Sequence, residues 1–229
     1  MGRALIGTIL AVLLAAGALP GSAAAGGVLN ARLEAWPEWR LPAPLPNPGR
    51  EDLRYPAWFA GDWQVTAEAD PESGEAALRY GVRFRSDGRG AVVGERAANA
   101  AAVGRELLGD ALLAVRDDPA NPNRQLARLA GGGLLESTVV GRRSEGTEQF
   151  LADELTLQVV HGGAEPRVSR IETLSRYRLH HGEKGDWIEA EQWQARYPSP
   201  SEGLVAHATG GGHWRLRLDP LPPGSGRAS

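Results

Sequence analysis

The chain contains no cysteine. Disulfide staples, thiolate zinc sites, iron–sulfur clusters and thioether-attached chromophores are therefore excluded. Lysine is almost missing as well. Lys184 stands alone, and arginine carries the rest of the positive charge. The formal net charge is only −3 at pH 7. So mild a value argues against a nucleic-acid partner and against a polybasic membrane footprint. No apolar run reaches the roughly 20 residues of an ordinary membrane-spanning helix. There is no G-x-S-x-G element, so the usual hydrolase elbow is absent, and there is no N-x-S/T sequon.

What is present begins with an export pattern. Arg3 supplies a positive n-region, Ala4 to Ala18 form an apolar segment of fifteen residues, and Ala23-Ala24-Ala25 is a small-residue cleavage site. Residues 1–25 are thus read as a signal peptide, with a retained N-terminal anchor as the alternative. Without a paired arginine, the general export route is expected. The mature chain then has no transmembrane span.

Residues 26–56 follow as an arm. Trp36-Pro37-Glu38-Trp39 is succeeded by Pro42, Pro44, Pro46, Pro48 and Pro56. Prolines this frequent oppose helix and interior strand, so the arm is expected to be extended. Trp36 and Trp39 are expected to pack on the wall of the following domain, because a buried indole removes on the order of 150–250 Å² from water.

From Gly61 the period becomes two. Trp63, Val65, Ala67 and Ala69 alternate with polar residues, as do Leu78, Tyr80, Val82 and Phe84. Asp87-Gly88 marks a hairpin, and a third strand is expected over Ala91–Ala97. Asn99 is placed to cap a short helix ending at Gly109. Strands follow at Ala111–Asp117, Gln125–Ala130, Leu134–Arg142, Glu154–His161, Pro166–His180, Asp186–Tyr197 and Trp214–Leu218. Ser144–Asp153 is read as a turn or short helix. The expected fold is all-β, an antiparallel up-and-down barrel of about 8–10 strands over residues 57–219 with one or two short helices. Residues 220–229 form a Pro/Gly tail expected to be disordered.

Four aromatics fall between Tyr55 and Trp63 in a chain that is 6% aromatic. Within this cluster, Gly61-Asp62-Trp63 resembles the G-x-W element of lipocalin-like (calycin) barrels. That resemblance implies that Trp63 plugs the closed end, with Arg215 or Arg217 of the last strand packed across it. A second resemblance spans nearly the whole mature chain. Trp39–Leu45, Tyr55–Trp63, Asp118–Arg124 and Ser175–Arg178 resemble an uncharacterised family of exported proteins from cyanobacteria and plant plastids. It implies a thylakoid-lumen or periplasmic location and no particular reaction.

No catalytic constellation, metal set or cofactor motif stands out. His180 and His181 face opposite sides of a strand and cannot share a metal. His207 and His213 flank Ala208–Gly212, a loop read as flexible, but lack a third ligand. Gly88-Arg89-Gly90 opens no helix and is read as a turn rather than a phosphate loop. The late strands carry the more informative pattern. Arg170, Glu172, Arg176 and Arg178 share one face, and Trp187, Glu189, Glu191 and Trp193 share another. Antiparallel pairing sets arginine opposite glutamate. Two readings stay open, a solvated outer face and a polar-lined cavity for an anionic amphipathic molecule such as a lipid, carotenoid or tetrapyrrole. Glu189 and Glu191 also have the spacing of a glycosidase pair. Three functions follow: a non-catalytic binder of a small amphipathic ligand, an accessory protein docking on a photosynthetic complex through Trp36 and Trp39, or an enzyme acting on a lipid or pigment.

Overall fold

The computed structural model describes residues 27–183 and 185–222. The expected signal segment, 1–25, and the tail from residue 223 lie outside the described residues. In chain order the elements are α1 (Val28–Glu34), β1 (Arg40–Leu41), β2 (Gly61–Ala69), β3 (Leu78–Ser86), β4 (Val92–Gly94), α2 (Arg96–Leu108), β5 (Leu112–Asp118), β6 (Asn121–Leu129), β7 (Leu134–Glu145), β8 (Gln149–His161), β9 (Arg167–His180), β10 (Trp187–Tyr197), β11 (Ala206–His207) and β12 (Gly210–Pro220). Ten strands form one antiparallel sheet in the order β4-β3-β2-β12-β10-β9-β8-β7-β6-β5, curled into a half-barrel. The short strands β1 and β11 pair separately.

The all-β, up-and-down architecture agrees with the alternation in the sequence. Three local expectations are corrected. The strand expected over Ala91–Ala97 stops at Gly94, and the helix starts at Arg96 rather than after Asn99. The alanine-rich Arg96–Ala102 stretch favours helix strongly enough to shorten the strand. Within Ser144–Asp153 the turn is confined to residues 146–148, and the rest forms the ends of the β7–β8 hairpin strands. Val28–Glu34 is helical, because the prolines of the arm begin only at Pro37.

The sheet leaves a seam between β4 and β5, and α2 fills it, packing on β3 at one side and β5 at the other. β4 pairs with only Phe84–Ser86. Beyond it, the buried side chain of Asn99 takes over the ladder. Arg83 N–H donates to Asn99 Oδ1 (2.8 Å), and Asn99 Nδ2 donates to Arg83 O (3.0 Å). An amide side chain thus satisfies an edge-strand N–H that would otherwise be unpaired, while Arg83 O also accepts from the Glu95 N–H (2.9 Å).

The arm lies across the convex face. Leu29, Trp39 and Leu41 are buried there against Leu151, Leu174, Ala195 and Tyr197. Trp36 meets Trp39 edge-on, with centroids 5.0 Å apart, and Trp39 Nε1 donates to Arg32 O (2.7 Å). Two glycines give the arm a flat floor. A Cβ on Gly211 would lie 2.7 Å from the Trp36 ring, and one on Gly141 would lie 3.0 Å from Leu45 Cβ. The segment Ala208–Gly212, expected to be a flexible loop, is instead largely strand, with its glycines under the arm.

One buried ionic network fixes α1 to the sheet. Arg32 donates to both carboxylate oxygens of Glu172, from Nε (2.7 Å) and Nη2 (2.6 Å), and also to the Tyr197 hydroxyl (3.0 Å). The Tyr197 hydroxyl donates in turn to Glu172. Asp153 is fully buried beside this group, and neither of its oxygens faces a donor. Its neighbour is the Glu172 carboxylate, so a hydrogen bond between the two requires a proton on Asp153. Burial first, then the Glu172 charge, raises the Asp153 pKa well above the usual carboxylate range.

Two predictions follow from these contacts. Asn99→Ala leaves the edge-strand N–H of Arg83 unpaired, while Arg83 O keeps the Glu95 N–H (2.9 Å), and should lower stability by about 1–2 kcal/mol in urea unfolding followed by tryptophan fluorescence. A change below about 0.5 kcal/mol would show that the seam does not depend on this amide. For Asp153, the folded state keeps a proton that the unfolded chain releases above a pH of about 4. Its contribution is complete below the unfolded pKa and is lost as pH rises through the raised folded value. Asp153→Asn should therefore gain stability relative to the parent chain as pH increases from about 4 to 9. Parallel stability–pH curves for the two proteins would contradict the shared proton.

Candidate functional site

The concave face holds two apolar cores with a polar belt between them. Trp63, Val65, Phe84, Phe150, Ile188 and Leu218 belong to the larger core, while Leu112, Ala127 and Leu135 form the smaller. The belt consists of Ser137 on β7, Thr156 and Gln158 on β8, Thr173 and Ser175 on β9, and Gln192 and Gln194 on β10, all buried. Strand register brings them together. Gln158 is opposite Ser137, Gln194 is opposite Thr173, and Gln192 is opposite Ser175.

Part of the belt is internally satisfied. Gln192 Nε2 donates to Ser175 Oγ (3.1 Å), and Gln194 Nε2 donates to Thr173 Oγ1 (3.4 Å). Gln158 Nε2, Ser137 Oγ, Ser144 Oγ and the Tyr55 hydroxyl are enclosed without any hydrogen-bond partner. Buried polar groups are nearly always paired, and an unpaired one costs roughly 1–3 kcal/mol. The belt therefore has more hydrogen-bonding capacity than the protein itself uses.

Charge inside is committed to pairs. Arg142 Nε donates to Glu154 (2.6 Å), Nη1 to Glu51 O (2.8 Å) and Nη2 to Asn123 Oδ1 (2.9 Å). Arg96 Nη1 lies 3.3 Å from Asp52. Burial raises the pKa of both carboxyls against the lowering pull of these arginines. Tyr177 stands on the same face against Phe59 and Phe150 and still keeps accessible surface. Loss of water pushes its hydroxyl up to about 12, partly opposed by a hydrogen bond to Ser175. At the seam, a groove of about 450 Å³ runs beside α2 from Gln64 and Arg83 to Val82 and Val115, two residues of the concave face.

The residues singled out on the late strands fall elsewhere. Arg176, Arg178, Trp187, Glu189, Glu191 and Trp193 lie on the convex face, opposite to Ile188 and Ala190 of the core. The pairing of arginine with glutamate is present: Glu189 is opposite Arg178, and Glu191 is opposite Arg176 and ion-paired with it. A cavity lined by these groups is not what they form. Each tryptophan is instead clasped by a histidine ring and an arginine from the flanking strands. His180 stacks on Trp187 at 4.2 Å, and the Arg217 guanidinium lies 4.0 Å from the same ring. His213 stacks on Trp193 at 4.9 Å, with Arg176 5.2 Å away. Glu189 is hydrogen-bonded with His180 (3.1 Å), so the two glutamates serve separate partners.

Arg170 is buried under the turn after β10, donating to Pro198 O (2.8 Å) and Gly203 O (2.8 Å). The implied end plug is also corrected. Trp63 is buried on the concave face with Nε1 donating to Phe59 O (2.7 Å). Arg215 and Arg217 alternate with the core residues Leu216 and Leu218 and so point to the opposite face, away from Trp63. Trp36 and Trp39, as expected, pack on the wall of the domain; Trp39 is completely covered. His207 sits in the small β1–β11 ladder opposite Arg40, while His213 bonds Asp70 (3.0 Å). Among the described residues, no cluster of three or more His, Asp or Glu is placed to hold a metal ion. Among the same residues, no helix is long and apolar enough to cross a membrane.

The belt was not singled out in the sequence because glutamine, serine and threonine between charged residues look like a solvated face. The signal that marks it is the phase of Ile188 and Ala190, which places Gln192 and Gln194 on the core side.

A family model for Domain of unknown function (DUF6816) matches residues 67–211, from the middle of β2 to the start of β12. Searches of the curated proteins and of the solved structures each gave no match. The family match covers more than half of the sequence and contains eight of the ten strands of the main sheet in whole, β3 to β10, together with the end of β2 and the start of β12; the chain belongs to the family described as Domain of unknown function (DUF6816).

Proposed function

We propose that this is an exported, non-catalytic β-barrel protein that carries a small amphipathic molecule on its concave face, of the lipid, carotenoid or tetrapyrrole kind. One observation carries the reading: Gln158 and Ser137 present enclosed, unpaired polar atoms between two apolar cores, and the Tyr55 hydroxyl is unpaired within the larger one. Such an arrangement matches a ligand with a polar portion and an apolar body. The groove beside α2 opens at the seam and touches Val82 and Val115 of the concave face. Export rests on Arg3, the apolar Ala4–Ala18 segment and Ala23-Ala24-Ala25. A thylakoid-lumen or periplasmic location rests on the resemblance of Tyr55–Trp63 and its companion stretches.

A second reading, docking on a photosynthetic complex, draws support from the convex side. Leu204 and Val205 are 77% and 74% exposed in a segment whose preceding turn is held by Arg170 and by the Ser199–Glu202 capping box. Trp36 remains half-buried in the arm, whereas Trp39 has no surface left to offer.

Native mass spectrometry of the protein isolated from its source should show a mass above that of the chain, released by organic solvent as one small molecule. Protein recovered at the bare chain mass would overturn the carrier reading. Stable co-purification of a larger assembly, lost in a Leu204→Ser/Val205→Ser variant, would favour docking instead.

A further inference from the structure

We infer that the arm and β11 form a binding site of their own on the convex side, an open groove beside α1 that takes an apolar molecule ending in a carboxylate. The inference goes beyond the carrier reading, because this groove shares no residue with the concave belt.

The groove has a volume of about 740 Å³ and runs between α1 and the β1–β11 ladder. Small-molecule sites usually measure roughly 300–1,000 Å³. One side of it is apolar. Val28, Ala31 and Ala35 follow the three- and four-residue spacing of one helix face, and Trp36 and Pro44 of the arm continue their surface. Val28, Ala31 and Ala35 are exposed, so the groove is accessible from solvent. Trp36 is only half-buried, which leaves part of its ring for the body of a ligand.

Arg32 sets the polar end. Its side chain is 9% exposed and lines the groove. Nε donates to Glu172, and Nη2 donates to Glu172, the Tyr197 hydroxyl and the Arg40 carbonyl. Among the described residues, no acceptor is bonded to Nη1. A guanidinium carries two N–H donors on that nitrogen, and a nearly buried donor without an acceptor is costly. A carboxylate in the groove supplies the acceptor through charge-assisted hydrogen bonds. Arg40 and His207, register partners in the β1–β11 ladder, bring further N–H donors to the same groove.

Two glutamates, Glu34 and Glu38, line it as well. Both are exposed, where water and salt screen their charge. A cationic head would find only these two, and exposed ion pairs contribute little. An anionic head meets the more deeply placed Arg32. Behind that arginine Asp153 holds a proton, so Glu172 is the one charged carboxylate of the cluster and Arg32 balances it.

The test uses the full mature chain and two probes of one alkyl length, laurate and dodecyltrimethylammonium, each below its micelle concentration, with binding followed by calorimetry at neutral pH. Laurate should bind roughly ten-fold or more tightly than the cation. Ala31→Trp fills the groove from an exposed position and should weaken laurate binding roughly ten-fold or more, with folding checked by circular dichroism and thermal melting. Ala35→Trp takes its place should that variant fail to fold, with the same direction expected. Arg40→Gln should weaken laurate roughly two- to five-fold and leave dodecyltrimethylammonium no weaker. Equal or tighter binding of dodecyltrimethylammonium overturns the carboxylate preference. Laurate affinity unchanged by both the tryptophan variant and Arg40→Gln puts the probe elsewhere, which overturns this site and leaves the carrier reading standing. Absence of laurate binding overturns the site too, whereas the carrier reading falls only with protein from the source at its bare mass.

Discussion

The structure depends on how an open sheet hides its two edges. Ten curled strands do not close on themselves, and the gap between β4 and β5 would expose unpaired peptide groups and the concave core. A helix fills it. A helix offers no ladder of its own to an edge strand, so the N–H of Arg83 needs another partner, and the side-chain amide of Asn99 imitates one. The small alanines of α2 line the groove at the seam, where bulkier side chains would fill it. Closure by a helix instead of a strand thus produces both the seal and a groove beside it.

The convex side shows a second constraint. Half-barrel sheets usually bury one face, but β8 and β9 are covered on both, by the core on one side and the arm on the other. Strands buried twice cannot keep the simple inward-apolar, outward-polar alternation. Polar residues in them must find partners in place. Glu172 finds Arg32 and Tyr197 outside, Glu154 finds Arg142 inside, and Asp153 meets its burial by holding a proton. Removing one partner of such a pair costs on the order of 3–5 kcal/mol, more than any exposed pair on the late strands supplies. The arm is thus an integral layer of the domain rather than an appendage.

This double burial also marks the boundary of what the sequence reveals. β2, β3 and β12 face solvent on one side, and their alternation identifies them and their inward residues directly. In β8, the buried run Phe150–Glu154 mixes apolar and acidic residues, which hid the strand. The phase of Glu189 and Glu191 identified a shared face, and antiparallel pairing put them across from arginines, but neither property tells which face is inside. That depends on where the arm docks, a long-range contact carried by Gly211 and Gly141, where the decisive feature is a missing side chain. The polar belt escaped notice for the same reason: its residues are ordinary surface types, and only the packed sheet encloses them.

The position of β12 has a consequence for how the protein is made. It lies between β2 and β10, although it is the last strand in the chain. Until it is in place, β2–β4 and β5–β10 are two separate sheets, each with an uncovered edge where β12 belongs. Joining the two halves therefore waits on this strand, which must bring together β2 and β10 from far apart in the sequence, and such long-range pairing makes completion of the sheet the slow step of its assembly.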